Sequence, residues 1–211
     1  LQNVFEKVNN QATYTEHTGI QSVTLKTYIG AQQLLEDSFR LGTQILDSGF
    51  KPSIIIALWR GGTPIGTAVQ ELLEYHGIET DHIAIRTSSY AAAIDGRSNE
   101  IRIHGMSYLI KHVKHTDRLL IVDDVFDTGH TIKAVIEHLE THARRNTPQE
   151  IKVAVPYYKP TRNQTDIVPD YFLHKTEEWL KYPHSLEGLS HEEIAENRPE
   201  LYEIIKPHLK K

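Results

Sequence analysis

The chain has 211 residues, 39% hydrophobic and 24% charged, the make-up of a globular protein long enough to bury a core without staples. A formal charge of -5 argues against general binding to DNA or RNA, which needs a basic face, although a local basic pocket is still allowed. There is no cysteine, which excludes disulfides and thiolate chemistry; no apolar run approaches the ~20 residues of a membrane helix, and the first residues lack the pattern of a signal peptide, so a cytoplasmic protein is expected.

Residues 1–22 are polar with little periodicity and read as an N-terminal arm. Apolar positions Ile29, Leu34, Leu35, Phe39, Ile45 and Leu46 predict a helix within residues 27–48, stopped at Gly49. The β-branched run Ile54-Ile55-Ile56-Ala57-Leu58 predicts a buried strand, followed by a helix over residues 64–76 that ends at Gly77. Residues 83–86 predict a second strand, and the small, polar stretch 87–99 a long loop. Leu119-Leu120-Ile121-Val122 predicts a third strand, with a helix over residues 131–143 behind it. Two further strands are expected at residues 151–155 and 171–173, then an amphipathic tail over 189–211 opened by a capping box of Ser190 and Glu193. Strands alternating with helices imply an α/β fold: a central parallel sheet of about five strands with helices on both faces. Ligands of such sheets lie beyond the carboxyl ends of the strands.

Residues 119–131 join a strand to a helix at one such end. Asp123 and Asp124 would accept hydrogen bonds from vicinal hydroxyls and help hold a magnesium ion. Asp127, Thr128, Gly129, His130 and Thr131 form a turn whose N–H groups and hydroxyls, with the N-terminus of the next helix, suit a phosphate monoester. Acids that bind hydroxyls beside a phosphate cradle describe a ribose 5-phosphate site. His130 is assigned backbone duty only.

Four apolar residues, two acids and an Asp-Thr-Gly-x-Thr turn resemble the signature of the type I phosphoribosyltransferases, and the resemblance covers roughly residues 27–185. It implies that Asp123 and Asp124 bind the ribose hydroxyls of PRPP (5-phosphoribosyl 1-diphosphate), that residues 127–131 hold its 5-phosphate, and that Asp127 is the catalytic base at the purine. It implies Mg2+ as cofactor, with Asp123 and Asp124 as weak or indirect ligands. Arg60-Gly61-Gly62, alone no more than a tight turn with a phosphate-binding arginine, is similar to the family's diphosphate loop, which implies a cis peptide at Trp59–Arg60. Ser88, Ser89 and Tyr90 resemble the start of the flexible loop that closes over the reaction centre, with Arg97 reaching the diphosphate on closure.

Lys159 follows the fourth strand and Trp179-Leu180 the fifth. An aromatic face stacks on a flat base, and a lysine donates to an exocyclic carbonyl oxygen. Together they resemble the 6-oxopurine branch, the xanthine-guanine and hypoxanthine-guanine enzymes, and imply purine salvage. The alternatives are transfer to a different base, or a non-catalytic PRPP-sensing regulator. Some relatives carry an aspartate after the aromatic pair for a second magnesium; here the nearest acid is Glu187. The resemblance also implies a homodimer or higher homo-oligomer and a small hood over the sheet. The expected organisation is an arm at 1–22, a phosphoribosyltransferase domain with hood elements at 23–185, and a helical extension at 186–211. Thirteen histidines invite a zinc hypothesis, but His138 with His142 and His112 with His115 are pairs without further ligands and read as solvated helix faces.

Overall fold

The structure is a computed structural model that describes residues 26–90 and 100–209, with only the backbone of Ser89, Tyr90 and Glu100. The expected N-terminal arm and Arg97 lie outside the described residues.

A short strand β1 (Lys26–Tyr28) leads into α1 (Ala31–Asp47), β2 (Ile54–Trp59), α2 (Gly62–Tyr75) and β3 (Asp81–Tyr90). The chain continues through β4 (Glu100–His104), α3 (Ser107–His112), β5 (Arg118–Val122), β6 (Val125–Phe126), α4 (His130–Ala143) and β7 (Glu150–Tyr158). It ends in β8 (Tyr171–Lys175), β9 (Trp179–Lys181), α5 (His191–Asn197) and α6 (Pro199–Ile205). The five strands expected from the sequence, β3-β2-β5-β7-β8, pair in parallel in that spatial order. Two further strands of this sheet were not foreseen: β4, antiparallel to β3, and the two-residue β6, parallel to β7. β3 therefore runs on through Thr87, Ser88, Ser89 and Tyr90, where a loop was expected. The expected first helix also begins later, because Lys26–Tyr28 is extended.

Side chains alternate across the sheet, as a period of two dictates. Ile54, Ile56 and Leu58 of β2 pack with Leu119 and Ile121 of β5 against Leu109 of α3 and Ile132, Val135 and Leu139 of α4. Ile55, Leu120 and Val122 face the other way, toward Leu34, Leu41 and Ile45 of α1 and Ile65, Val69 and Leu73 of α2. Both faces of the sheet's centre are thus covered, which is why β2 and β5 read as continuous apolar runs.

A second, two-stranded sheet forms the hood, where β1 pairs in parallel with β9. Its following segment is pinned by Arg198, whose guanidinium donates to the carbonyls of Tyr182 (2.7 Å), Ser185 (2.8 Å), Lys181 (3.2 Å) and Pro183 (3.4 Å). The tail forms two short helices, and α5 opens with the expected reciprocal bonds between Ser190 and Glu193. No helix among the described residues is long and apolar enough to cross a membrane.

Candidate active site

The acidic pair sits where the sheet is interrupted. β5 leaves the ladder at Val122, opposite Ala154 of β7, and pairing resumes at Val125 opposite Tyr157. Val155 and Pro156 lie between those partners, and Pro156 has no N–H to donate to the ladder. The facing residues are Asp123-Asp124, whose pairing is reduced to the Asp123 N–H donating to the Ala154 carbonyl (3.2 Å). The Asp124 N–H donates to Asp123 Oδ1 (2.9 Å), and the Tyr182 hydroxyl, reaching in from the hood, donates to the Asp124 carbonyl (2.8 Å). Burial, and then the neighbouring Asp124 charge, pushes the Asp123 carboxyl well above the usual carboxylate range; burial pushes Asp124 up to about 6. Burial beside these two acids raises the Tyr182 phenol as well, so it stays a donor. Each of these shifts eases when a cation or a hydroxyl donor comes to the carboxyls.

The Arg60-Gly61-Gly62 turn is packed directly onto these acids. A Cβ on Gly61 would lie 1.8 Å from Asp124 Oδ2, and one on Gly62 would lie 2.4 Å from the Val122 carbonyl oxygen, so neither position accepts a side chain. The Trp59–Arg60 peptide is cis, as the resemblance implied. Arg60 itself is solvent-facing and donates to Glu187 of the hood segment (2.9 Å). Register places Trp59 beside Arg86 on β3, and Trp59, Arg60, Arg86 and Thr87 line one polar cleft.

The second turn, Asp127 to Thr131, starts α4. Gly129 has φ +82°, and a Cβ there would lie 2.4 Å from Thr165 Oγ1 and 2.9 Å from the Phe126 ring, so the turn requires glycine. No side chain caps α4, which leaves its first-turn N–H groups and the positive end of its dipole for another partner. The Thr128 carbonyl is held by the Gln164 N–H (3.0 Å), and the His130 Nε2 lies 2.9 Å from Gln164 Oε1.

Asp127 points toward the base-binding candidates. Lys159, only 4% exposed, places its Nζ 3.7 Å from Asp127 Oδ2 and 6.0 Å from the centre of the Trp179 ring. Lys181 approaches the same ring at 5.7 Å. Arg162 Nε lies 2.7 Å from Asp127 Oδ1 but is poorly aligned, so that buried oxygen has no hydrogen bond. Leu180 neighbours Trp179 on β9 and packs against the core that includes Tyr182. Ser88 lies on β3 opposite Arg102 of β4.

The structure thus brings together Asp123, Asp124, Gly61 and Gly62, and separately Asp127, Lys159 and Trp179. Arg86, Arg162, Tyr182 and the Glu187 contact were not singled out from sequence as parts of one site. Arg86 had a signal, since it closes the strand expected at residues 83–86; the others depend on segments that only the fold brings together. His112 Nδ1 lies 2.8 Å from the Tyr108 carbonyl oxygen, and His115 Nδ1 lies 2.9 Å from that of Thr147. The His138 and His142 rings stack at 4.0 Å.

Residues 28–193 match the phosphoribosyl transferase domain family. The chain belongs to the phosphoribosyltransferase family. It is 30% identical over 148 residues to the hypoxanthine-guanine phosphoribosyltransferase of Lactococcus lactis subsp. lactis (strain IL1403), which covers 69% of this chain and 74% of that one. Among solved structures, it resembles the purine phosphoribosyltransferase of Pyrococcus horikoshii Ot3 with a TM-score of 0.60 at 29% identity, over 78% of this chain and 97% of that one. A hypothetical protein from Neisseria gonorrhoeae, solved with bound ppGpp, shares the fold with a TM-score of 0.68 at 19% identity, over 87% of this chain and 99% of that one. The protein is accordingly a phosphoribosyltransferase enzyme of the purine group.

Proposed function

We propose that this phosphoribosyltransferase moves phosphoribose from PRPP to a 6-oxopurine, hypoxanthine, guanine or xanthine, in purine salvage. The observation that carries the choice of base is the buried Lys159 ammonium beside both the Asp127 carboxylate and the Trp179 face. A donor that has no acceptor role fits an exocyclic oxygen and repels an amino group, which favours 6-oxopurines over adenine. Trp179 stacks on the base, and Leu180, whose side chain packs on the core, borders it through its backbone. Asp127, beside the five-membered ring, accepts the ring N–H proton as the glycosidic bond forms.

The remaining roles follow the chemistry of the groups. Asp123 and Asp124 take the ribose hydroxyls, while residues 127–131 and the uncapped α4 start take the 5-phosphate. Arg60, Gly61 and Gly62 hold the diphosphate, with Arg86 beside them in the cleft. As the bond from C1 of the sugar to the diphosphate oxygen breaks, the bond to the purine nitrogen forms, and Arg60 and the loop amides stabilise the departing anion. Ser88, Ser89, Tyr90 and Arg97 are proposed to exclude water from the electron-poor sugar. The donor set fits Mg2+: two adjacent carboxylates whose protonation is favoured by burial, with no cluster of three acidic or imidazole ligands among the described residues, suit an ion that keeps water and substrate oxygens in its shell. Bound there, magnesium would neutralise charge on the diphosphate.

Purified enzyme assayed with PRPP, Mg2+ and guanine, hypoxanthine, xanthine, adenine, uracil or orotate tests the reading. Turnover confined to 6-oxopurines, and lost in Lys159→Met, is the expected result. Equal use of adenine would remove Lys159 from base selection, and PRPP binding without turnover on any base would make the chain a sensor.

A further inference from the structure

The Arg60–Glu187 contact joins the diphosphate loop to the hood. It runs through one nitrogen and one oxygen, 2.9 Å apart, and both side chains are largely exposed, 68% for Arg60 and 79% for Glu187. The backbone under Glu187 is fixed from several sides. Lys181 Nζ donates to the Glu187 carbonyl (2.8 Å), Lys26 Nζ to the Gly188 carbonyl (3.2 Å), and Arg198 to four carbonyls just upstream. The glutamate side chain is therefore the part that moves, and it reaches across to the cation that the proposed function gives to diphosphate.

We propose that Glu187 is a built-in competitor for the PRPP diphosphate, holding Arg60 in the free enzyme and giving it up when the substrate arrives. The inference rests on the assignment of Arg60 to diphosphate. An exposed pair with a single contact is weak in water, whereas a diphosphate offers a guanidinium paired oxygens and more charge. Glu187 also places a carboxylate against the guanidinium that must meet an anion, so it sets PRPP affinity below what Arg60 and Arg86 alone would give. The opposite role, a glutamate that follows the ligand and helps hold magnesium, predicts the opposite sign.

Calorimetry on wild type, Glu187→Gln and Glu187→Ala with Mg2+ separates the two. Both variants should bind PRPP and inorganic diphosphate about fivefold more tightly, the scale of one exposed ion pair. Binding of the product nucleoside monophosphate, which carries no diphosphate, should stay within a factor of two of wild type. Unchanged or weaker PRPP binding in the variants overturns the proposal, and weaker binding recovered by raising Mg2+ would make Glu187 a metal-holding group. Wild type that binds monophosphate but not diphosphate would instead overturn the role of Arg60, and with it the competitor.

Discussion

Replacing Gly61 with alanine tests whether the diphosphate loop and the acidic pair are one site. Gly61 has φ -66° and ψ -33°, which any residue adopts, so backbone strain plays no part. What forbids alanine is contact alone: the new Cβ would lie 1.8 Å from Asp124 Oδ2, 2.2 Å from Cγ and 2.9 Å from Cβ. Ordinary contact begins at 3.4 Å, so the carboxylate must retreat by more than an ångström. Its backbone is tied by the Tyr182 hydroxyl, so the side chain has to swing out of the cleft. Overpacking of this kind costs about 1–3 kcal/mol, and a loss of about 2.7 kcal/mol of transition-state stabilisation corresponds to roughly a hundredfold in kcat/KM. Steady-state kinetics with PRPP varied should show that loss, while Gly30→Ala, whose Cβ would meet nothing closer than 4.0 Å, serves as the silent control. Gly61→Ala with kcat/KM within threefold of wild type would refute the reasoning, because the carboxylate would then have no fixed place.

Protonation should govern the same pair. Asp124 is pushed up to about 6 by burial, so in the free enzyme its ionisation costs stability as pH rises from about 4 to 6. Magnesium-PRPP binding needs the ionised form, so affinity should fall by up to about tenfold per pH unit below 6; calorimetry from pH 5 to 8 checks this, and a flat profile counts against it. Asp127→Asn should lower turnover by about a hundredfold with PRPP affinity changed only a few-fold, measured by single-turnover kinetics and calorimetry; equal losses would make Asp127 a binding group. Away from the cleft, Asp37 is buried in α1, 2.7 Å from Arg40 Nη1 and 2.9 Å from His174 Nε2. Asp37→Ala removes two charge-assisted contacts with solvated partners and should cost about 2 kcal/mol in urea denaturation; a loss below about 0.5 kcal/mol would show that the pairs contribute nothing.

The central strands β2 and β5 were legible because burial on both faces makes each a short unbroken apolar run, and the glycines at 49 and 77 marked the helix ends. Residues 87–90 misled for the converse reason. They extend β3 into a hairpin with β4, and a polar run held by backbone pairing carries no apolar signal. β6 is two residues long and exists because β7 outlasts the interruption at Asp123-Asp124, which no local pattern announces. The acidic pair, the glycine turns and Lys159 stood out because their residue types are unusual at strand ends. The contacts of Arg60 with Glu187 and of Tyr182 with Asp124 join distant segments, and sequence spacing does not report them.

The pairing of β1 with β9 means that the wall bearing Trp179 is closed by segments from opposite ends of the described chain. Ordering so long an intervening stretch gives up more freedom than zipping neighbouring strands, so the platform can consolidate before its roof. Three-residue strands repay little of that entropy, so the roof leans on the Arg198 bonds to the carbonyls that follow β9. If the base stacks on the indole as proposed, its binding would fasten β1 and β9 to each other and so tie occupancy to the closing of the chamber.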